Sequence, residues 1–156
     1  MRTLKYFPED TTKHKARVHQ LDFIGAFLQA NFKNRVFVKL DSRYADYFPE
    51  YSKYFWRALR SLKSMYGMTN SGKLFSYRVT EWLLEAYFIL SQCQMSIYYI
   101  YAPDGSKIVF LSYADDCVYW YTSEALGKWF VDTLGKIFHA KFLGYAHWFM
   151  PIRISH

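Results

Sequence analysis

Cysteine is scarce. Cys93 and Cys117 are the two in 156 residues, which excludes a disulfide framework and leaves reduced thiols in an intracellular protein as the expectation. Long apolar runs are missing as well. No stretch approaches the roughly 20 residues that span a bilayer, and Met1-Arg2-Thr3-Leu4-Lys5 has no apolar core of the kind a secretory leader carries. The expected location is therefore cytoplasm or nucleus, with no membrane partner. His14, His19, His139, His147 and His156 fall at no metal-ligand spacing. No internal repeat and no linker divides the chain. Acid is short in the first half: residues 1–80 hold 15 Lys/Arg against 6 Asp/Glu, while residues 81–156 hold 5 against 7. A basic half of this kind suits a polyanion partner; a generic basic surface is the alternative.

What is present is a core. Apolar residues make up 52% and aromatics 22%, including 15 Tyr and 14 Phe, which excludes a disordered segment. The length suits one domain, residues 1–156, with 1–16 a loose arm or short helix. Arg17 to Asp22 alternates and reads as a strand, and Phe23 to Phe32 as a turn or short helix. Arg35 to Leu40 is a second strand. Asp41 to Lys53 reads as a loop with one helical turn, and Trp56 to Lys63 as a strand with basic residues on its polar side. After the turn-rich Tyr66 to Lys73, a helix is predicted from about Ser71 to Tyr87, burying Phe75, Val79, Trp82, Leu83 and Ala86. Ser96 to Tyr101 and Lys107 to Tyr113 form a hairpin around Pro103-Asp104-Gly105, since Pro fixes φ and Gly accepts positive φ. A helix capped by Thr122 or Ser123 begins near Glu124, with Leu126, Phe130, Leu134, Ile137 and Phe138 inward. Trp148 to Ile154 reads as one strand with Pro151 at an edge or bulge. The expected fold class is α+β, an antiparallel sheet with helices packed on one face.

The chemistry concentrates where the β-prone run Val109 to Tyr113 meets Asp115-Asp116, and Cys117 to Trp120 leaves. Two carboxylates at the tip of a buried hairpin repel each other and are poorly solvated, a cost that a divalent cation relieves. An ordinary surface Asp-Asp turn is the competing reading. Asp22 sits where a strand gives way to a turn, a position for a ligand-binding side chain or a simple helix cap. Two strands from distant parts of the chain would bring Asp22 beside Asp115, as two-metal phosphoryl transfer requires.

Gln20-Leu21-Asp22-Phe23-Ile24-Gly25-Ala26-Phe27-Leu28 resembles the first catalytic motif of reverse transcriptases from copia-type LTR retrotransposons. Leu62-Lys63-Ser64-Met65-Tyr66-Gly67-Met68 is similar to that family's Leu-Lys-Lys-Ser-Leu-Tyr-Gly-Leu stretch, and Tyr113-Ala114-Asp115-Asp116 to its Tyr-Val-Asp-Asp box. Phe142-Leu143-Gly144 and Trp148 to Ile154 resemble its later segments, in the same order along the chain.

The resemblance implies a polymerase palm with partial fingers, an RNA-directed DNA polymerase joining dNTP to a primer 3′-OH. Asp22, Asp115 and Asp116 would be its catalytic and metal residues, for two Mg²⁺ (or Mn²⁺) ions. Phe23, Gly25, Ala26, Phe27, Asn70 and Lys73 would meet the nucleotide, with Phe27 excluding a ribose 2′-OH. Tyr113, Ala114, Lys63, Tyr66, Gly67, Phe149 and Met150 would meet an RNA or DNA template-primer. Departures are Ala114 for the family's Val, and Thr69-Asn70-Ser71-Gly72-Lys73 for its Lys-Gln-Ala-Pro-Arg. Most of the fingers expected before Arg17, and the thumb and RNase H regions expected after Ile154, have no counterpart, so a polyprotein fragment is the expectation. The alternative function is a catalytically inactive remnant that at most binds nucleic acid. An unrelated α+β binding module is a third reading.

Overall fold

A computed structural model describes residues 17–39, 41–54, 58–150 and 152–154. The expected arm at 1–16 lies outside them, as do Leu40, Trp56, Arg57 and Pro151. The fold is α+β and falls into two compact units, one of Met1–Ala26 with Ser76–His156 and one of Phe27–Phe75.

The larger unit is built on a six-stranded sheet. Its strands are β1 (His19–Phe23), β4 (Ile89–Leu90), β5 (Ile97–Tyr101), β6 (Lys107–Tyr113), β7 (Asp116–Tyr121) and β8 (Ala140–Tyr145). They run in the order β4-β5-β6-β7-β1-β8, and every neighbouring pair is antiparallel. Alternation sends Leu21, Phe23, Ile108, Phe110, Cys117 and Tyr119 to one face. Helix α3 (Glu124–Ile137) covers that face through Phe130, whose ring lies 5.8 Å from Phe110 and 5.1 Å from Tyr119. Helix α2 (Ser71–Glu85) adds Trp82 against Phe130 and Phe138, and the Thr80 hydroxyl lies 2.7 Å from that of Tyr98. Both helices thus pack on one face. The other face holds a separate cluster of Val18, Leu111, Val118, Trp120, Ala146 and Phe149.

Local chemistry explains the element ends. Helix α2 stops at Glu85 because Tyr87 turns left-handed (φ 65°) and the Phe88 amide donates back to the Leu83 carbonyl. In the β5–β6 turn, Gly105 takes φ 82°, and Asp104 accepts from the Ser106 amide and hydroxyl. Helix α3 starts after Ser123, which makes no side-chain cap. Gly127 lets this helix approach β7, since a Cβ there would stand 2.5 Å from the Tyr121 ring. Ile137, expected inward, is exposed; Gly127 is buried instead.

Two further differences concern the sheet's margin. Residues 140–145, not assigned a strand from sequence, form β8 beside β1, with a register shift at Gln20/Leu21. The closing segment is a hairpin, β9 (Trp148–Phe149) paired with β10 (Ile152–Arg153), instead of one strand. Met150, with φ 53°, turns the chain back.

The smaller unit contains the antiparallel pair β2 (Asn31–Lys39) and β3 (Ala58–Lys63). A four-residue helix α1 (Tyr44–Tyr47) and a 3₁₀ turn at Pro49–Tyr54 lie between them, where one helical turn was expected. Residues 23–32, read as a turn or short helix, contain a 3₁₀ turn at Ala26–Gln29 and the start of β2.

Candidate active site

Strand pairing brings the carboxylates together. Asp22 at the end of β1 lies directly opposite Asp116 at the start of β7, so both project from the face that the helices do not cover. Asp115 occupies the two-residue β6–β7 loop, and its carbonyl accepts the Phe23 amide at 3.3 Å. That bond ties the loop to the end of β1. Ala114 has φ 54°, the left-handed conformation that two-residue hairpin loops demand. The tip is not buried as expected: Tyr113, Ala114 and Asp116 are exposed and Asp115 half-buried, while the strand below it, Cys117 to Trp120, is buried. The chain therefore presents the acids from a rigid base.

The electrostatics match this crowding. The Asp116 carboxyl is held above its ordinary range, first by partial burial, then by repulsion from Asp115 and Asp22. Cys117, next in the chain, has its thiol pushed up to about 12 by burial and is not a ready thiolate. Carboxylate oxygens are the donor type that a hard divalent cation takes. Among the described residues, however, no three His, Cys, Asp or Glu side chains are gathered to hold a metal ion. On the other side of β1, Lys141 of β8 stands in register with Asp22. Sequence reading passed over this lysine, although it immediately precedes Phe142-Leu143-Gly144; a signal existed only once β8 was placed beside β1.

The remaining expected residues divide by unit. In the larger unit, Phe23, Ala26 and Phe149 are buried, so their side chains serve the core; Met150 and Tyr113 are exposed. Gly25 takes φ 60° in the turn after β1. In the smaller unit, Phe27 is half-buried with its ring 4.5 Å from that of Tyr66. The Ser64 hydroxyl donates to the Phe27 carbonyl and the Ser64 amide to Ala30, while Ser71 donates to Met65. These bonds fix the loop from which Tyr66, Gly67 and Asn70 face solvent, flanked by exposed Lys63 at the end of β3 and Lys73 in the first turn of α2.

No helix among the described residues is long and apolar enough to cross a membrane. No curated protein and no solved structure matches the chain. A family model does match, over residues 8–156, and that span includes the paired carboxylates, both units and the closing hairpin. The chain belongs to the reverse transcriptase (RNA-dependent DNA polymerase) family.

Proposed function

We propose that this chain is an RNA-directed DNA polymerase core of copia type, joining a dNTP to a primer 3′-OH on an RNA or DNA template. The observation that supports this reading most is the Asp22–Asp116 register pair with Asp115 in the adjoining loop, on the sheet face without helices. In the reaction the primer oxygen bonds to the α-phosphorus, the bond to pyrophosphate breaks and the 3′-hydroxyl proton is lost. Asp22, Asp115 and Asp116 would hold two Mg²⁺ ions, or Mn²⁺ in their place. Bound there, the metal would offset charge on the phosphate oxygens and acidify the 3′-hydroxyl. Repulsion among the three acids is what favours taking up a cation.

The chain's other groups have supporting roles. Lys141, across from Asp22, offers a cation to the nucleotide's phosphates. Tyr113 and Met150, both exposed, are available to the primer end. Lys63, Tyr66, Gly67, Asn70 and Lys73 are assigned to template and nucleotide by their motif, and Phe27 to exclusion of a 2′-OH.

Primer extension on an RNA template with Mg²⁺, comparing the chain with Asp115→Ala, tests the reading. Extension by the parent chain that the variant loses is expected; equal, background extension by both leaves the inactive remnant. Phe27→Ala, kept folded, is expected to admit ribonucleotides; a folded variant that still rejects them removes the gate assignment. Affinity for template-primer should fall steeply with salt, because lysines and arginines release counterions from the phosphates.

A further inference from the structure

Between β2 and β3 the chain carries a run of aromatic rings that the polymerase reading leaves unused. Tyr44 and Phe48 stack with centroids 5.5 Å apart, Phe48 meets Tyr51 edge-on at 6.3 Å, and Tyr51 meets Tyr54 at 6.3 Å. The rings thus form one unbroken ladder across α1 and the following 3₁₀ turn. Tyr44, Tyr47, Phe48 and Tyr51 are exposed, Tyr47 at 79% and Tyr51 at 45%. Contiguous apolar surface left in water marks an interaction site. Among the described residues, no group takes the hydroxyls of Tyr44, Tyr47, Tyr51 and Tyr54. Charge here runs against the rest of the chain: residues 41–54 hold three acids against two bases, within a net charge of +7. Arg43 is engaged by Asp41, 2.8 Å away, and Lys53 lies over the Tyr54 ring at 5.1 Å. That leaves the carboxylates of Asp46 and Glu50, both exposed and with no basic partner among the described residues.

We propose that this ladder binds a proline-rich peptide segment in the polyproline II conformation, with an arginine or lysine of that segment beside Asp46 or Glu50. A polyproline II strand makes no internal hydrogen bonds, so its carbonyls are open acceptors for the four phenol hydroxyls. Its pyrrolidine rings offer flat apolar faces to the tyrosine rings, and its stiffness lowers the ordering cost of binding. Tyrosine suits the task because a large contact area costs it little side-chain freedom. A helical partner keeps its carbonyls in its own hydrogen bonds and offers them less readily. A nucleic acid would bring phosphates against Asp46 and Glu50, where like charges repel. The cationic, proline-rich strand answers both the hydroxyls and the acids. The inference stands on residues 44–54 alone and is independent of Asp22, Asp115 and Asp116.

The test is binding of three labelled peptides to the full chain. One has ten prolines with two arginines at one end, the second has two glutamates there, and the third replaces the prolines of the first with alternating glycine and serine. The parent should bind the arginine–proline peptide tightest and the glycine–serine peptide not measurably. Tyr51→Phe, which removes a hydroxyl and keeps the ring, should weaken both proline peptides about 2- to 10-fold, the worth of one hydrogen bond. Tyr51→Ala should weaken them further; should it fail to fold, Tyr51→Phe decides. Asp46→Asn with Glu50→Gln should bring the arginine and glutamate peptides to one affinity, and added salt should do the same in the parent. Tyr101→Phe, an exposed tyrosine of the larger unit, should change nothing. A parent that binds no proline peptide, or binds the glycine–serine peptide equally, overturns the proposal. So does unaltered peptide binding by Tyr51→Phe. Two other occupants would also overturn it: a second copy, shown by Tyr51→Ala converting dimer to monomer with peptide binding intact, or nucleic acid, shown by Tyr51→Phe weakening a deoxythymidylate 12-mer and no peptide. Asp115→Ala, expected to abolish extension, should bind all three peptides as the parent does, which separates failure of this inference from failure of the polymerase reading.

Discussion

The two units solve the problem of burial differently. In the larger, the six-stranded sheet has buried residues on both faces, with Phe130 at the meeting point of Phe88, Phe110, Tyr119 and Trp82. In the smaller, the buried residues among those described are Ala30, Ser64, Phe75 and Ser71. Strand β3 has no buried residue at all. A two-stranded sheet is marginal by itself in water, and here side-chain hydrogen bonds from Ser64 and Ser71 to the backbone replace a packed interior. The difference separates tasks: one unit is rigid enough to hold three like charges close together, and the other leaves its basic surface in solvent.

The comparison breaks most sharply at Phe130. Phe130→Ala removes a fully buried ring shared by four aromatic neighbours and is expected to cost about 3–5 kcal/mol. Phe37→Ala, on the exposed sheet, should stay within about 0.5 kcal/mol. Urea unfolding of both variants checks this; equal losses would mean that the smaller unit has a core of its own.

Ser64→Ala comes next. It removes one of two donors to the part-buried Phe27 carbonyl, which keeps the Ala30 amide, and a loss of about 0.5–1.5 kcal/mol is expected. Faster amide exchange should be confined to residues 27–30 and 64–71. Exchange that rises equally in the six-stranded sheet would contradict independent stabilisation of the two units.

Ala114 probes strain in the rigid unit. With φ at 54°, Ala114→Gly should stabilise and Ala114→Val destabilise, each by about 1–2 kcal/mol. Thermal melts that rank valine above glycine would show that the loop is not held left-handed in solution.

The smallest effect is at Asp116. Its raised pKa means that the folded state disfavours the charged form, so this contribution to stability is full at low pH and is lost as pH rises through the folded-state value. With chelator present, Asp116→Asn should melt above the parent at pH 7, and the gap should close below the unfolded-state value of about 3.9. A gap that widens on acidification would reverse the assignment.

Much of this was legible in the residues. The hairpin around Pro103-Asp104-Gly105, helix α3 near Glu124 and strand β1, read as ending at Asp22 and ending one residue later at Phe23, follow from turn chemistry and period, which are local. Ile137 misled because it keeps helical spacing, yet on the last turn it is the neighbouring Phe138 that is buried and Ile137 that is exposed. Strand β8 was hidden because none of its residues is fully buried, only Ala140 and Phe142 being half-buried, and Gly144 interrupts the pattern.

By itself, the order of apolar and turn-forming residues determined the α+β class, the family and most of the elements, strand β8 and the closing hairpin apart, because backbone preference and motif spacing act over a few residues. The tertiary structure decided which strands meet. Placing β1 between β7 and β8 set Asp22 against Asp116 and Lys141, and it drew Phe23, Ala26 and Phe149 into the core while Tyr113 and Met150 stayed outside. Register between segments nearly a hundred residues apart is a packing outcome, set by which face of every strand is buried, and a one-residue slip would have turned each of those carboxylates to the opposite side.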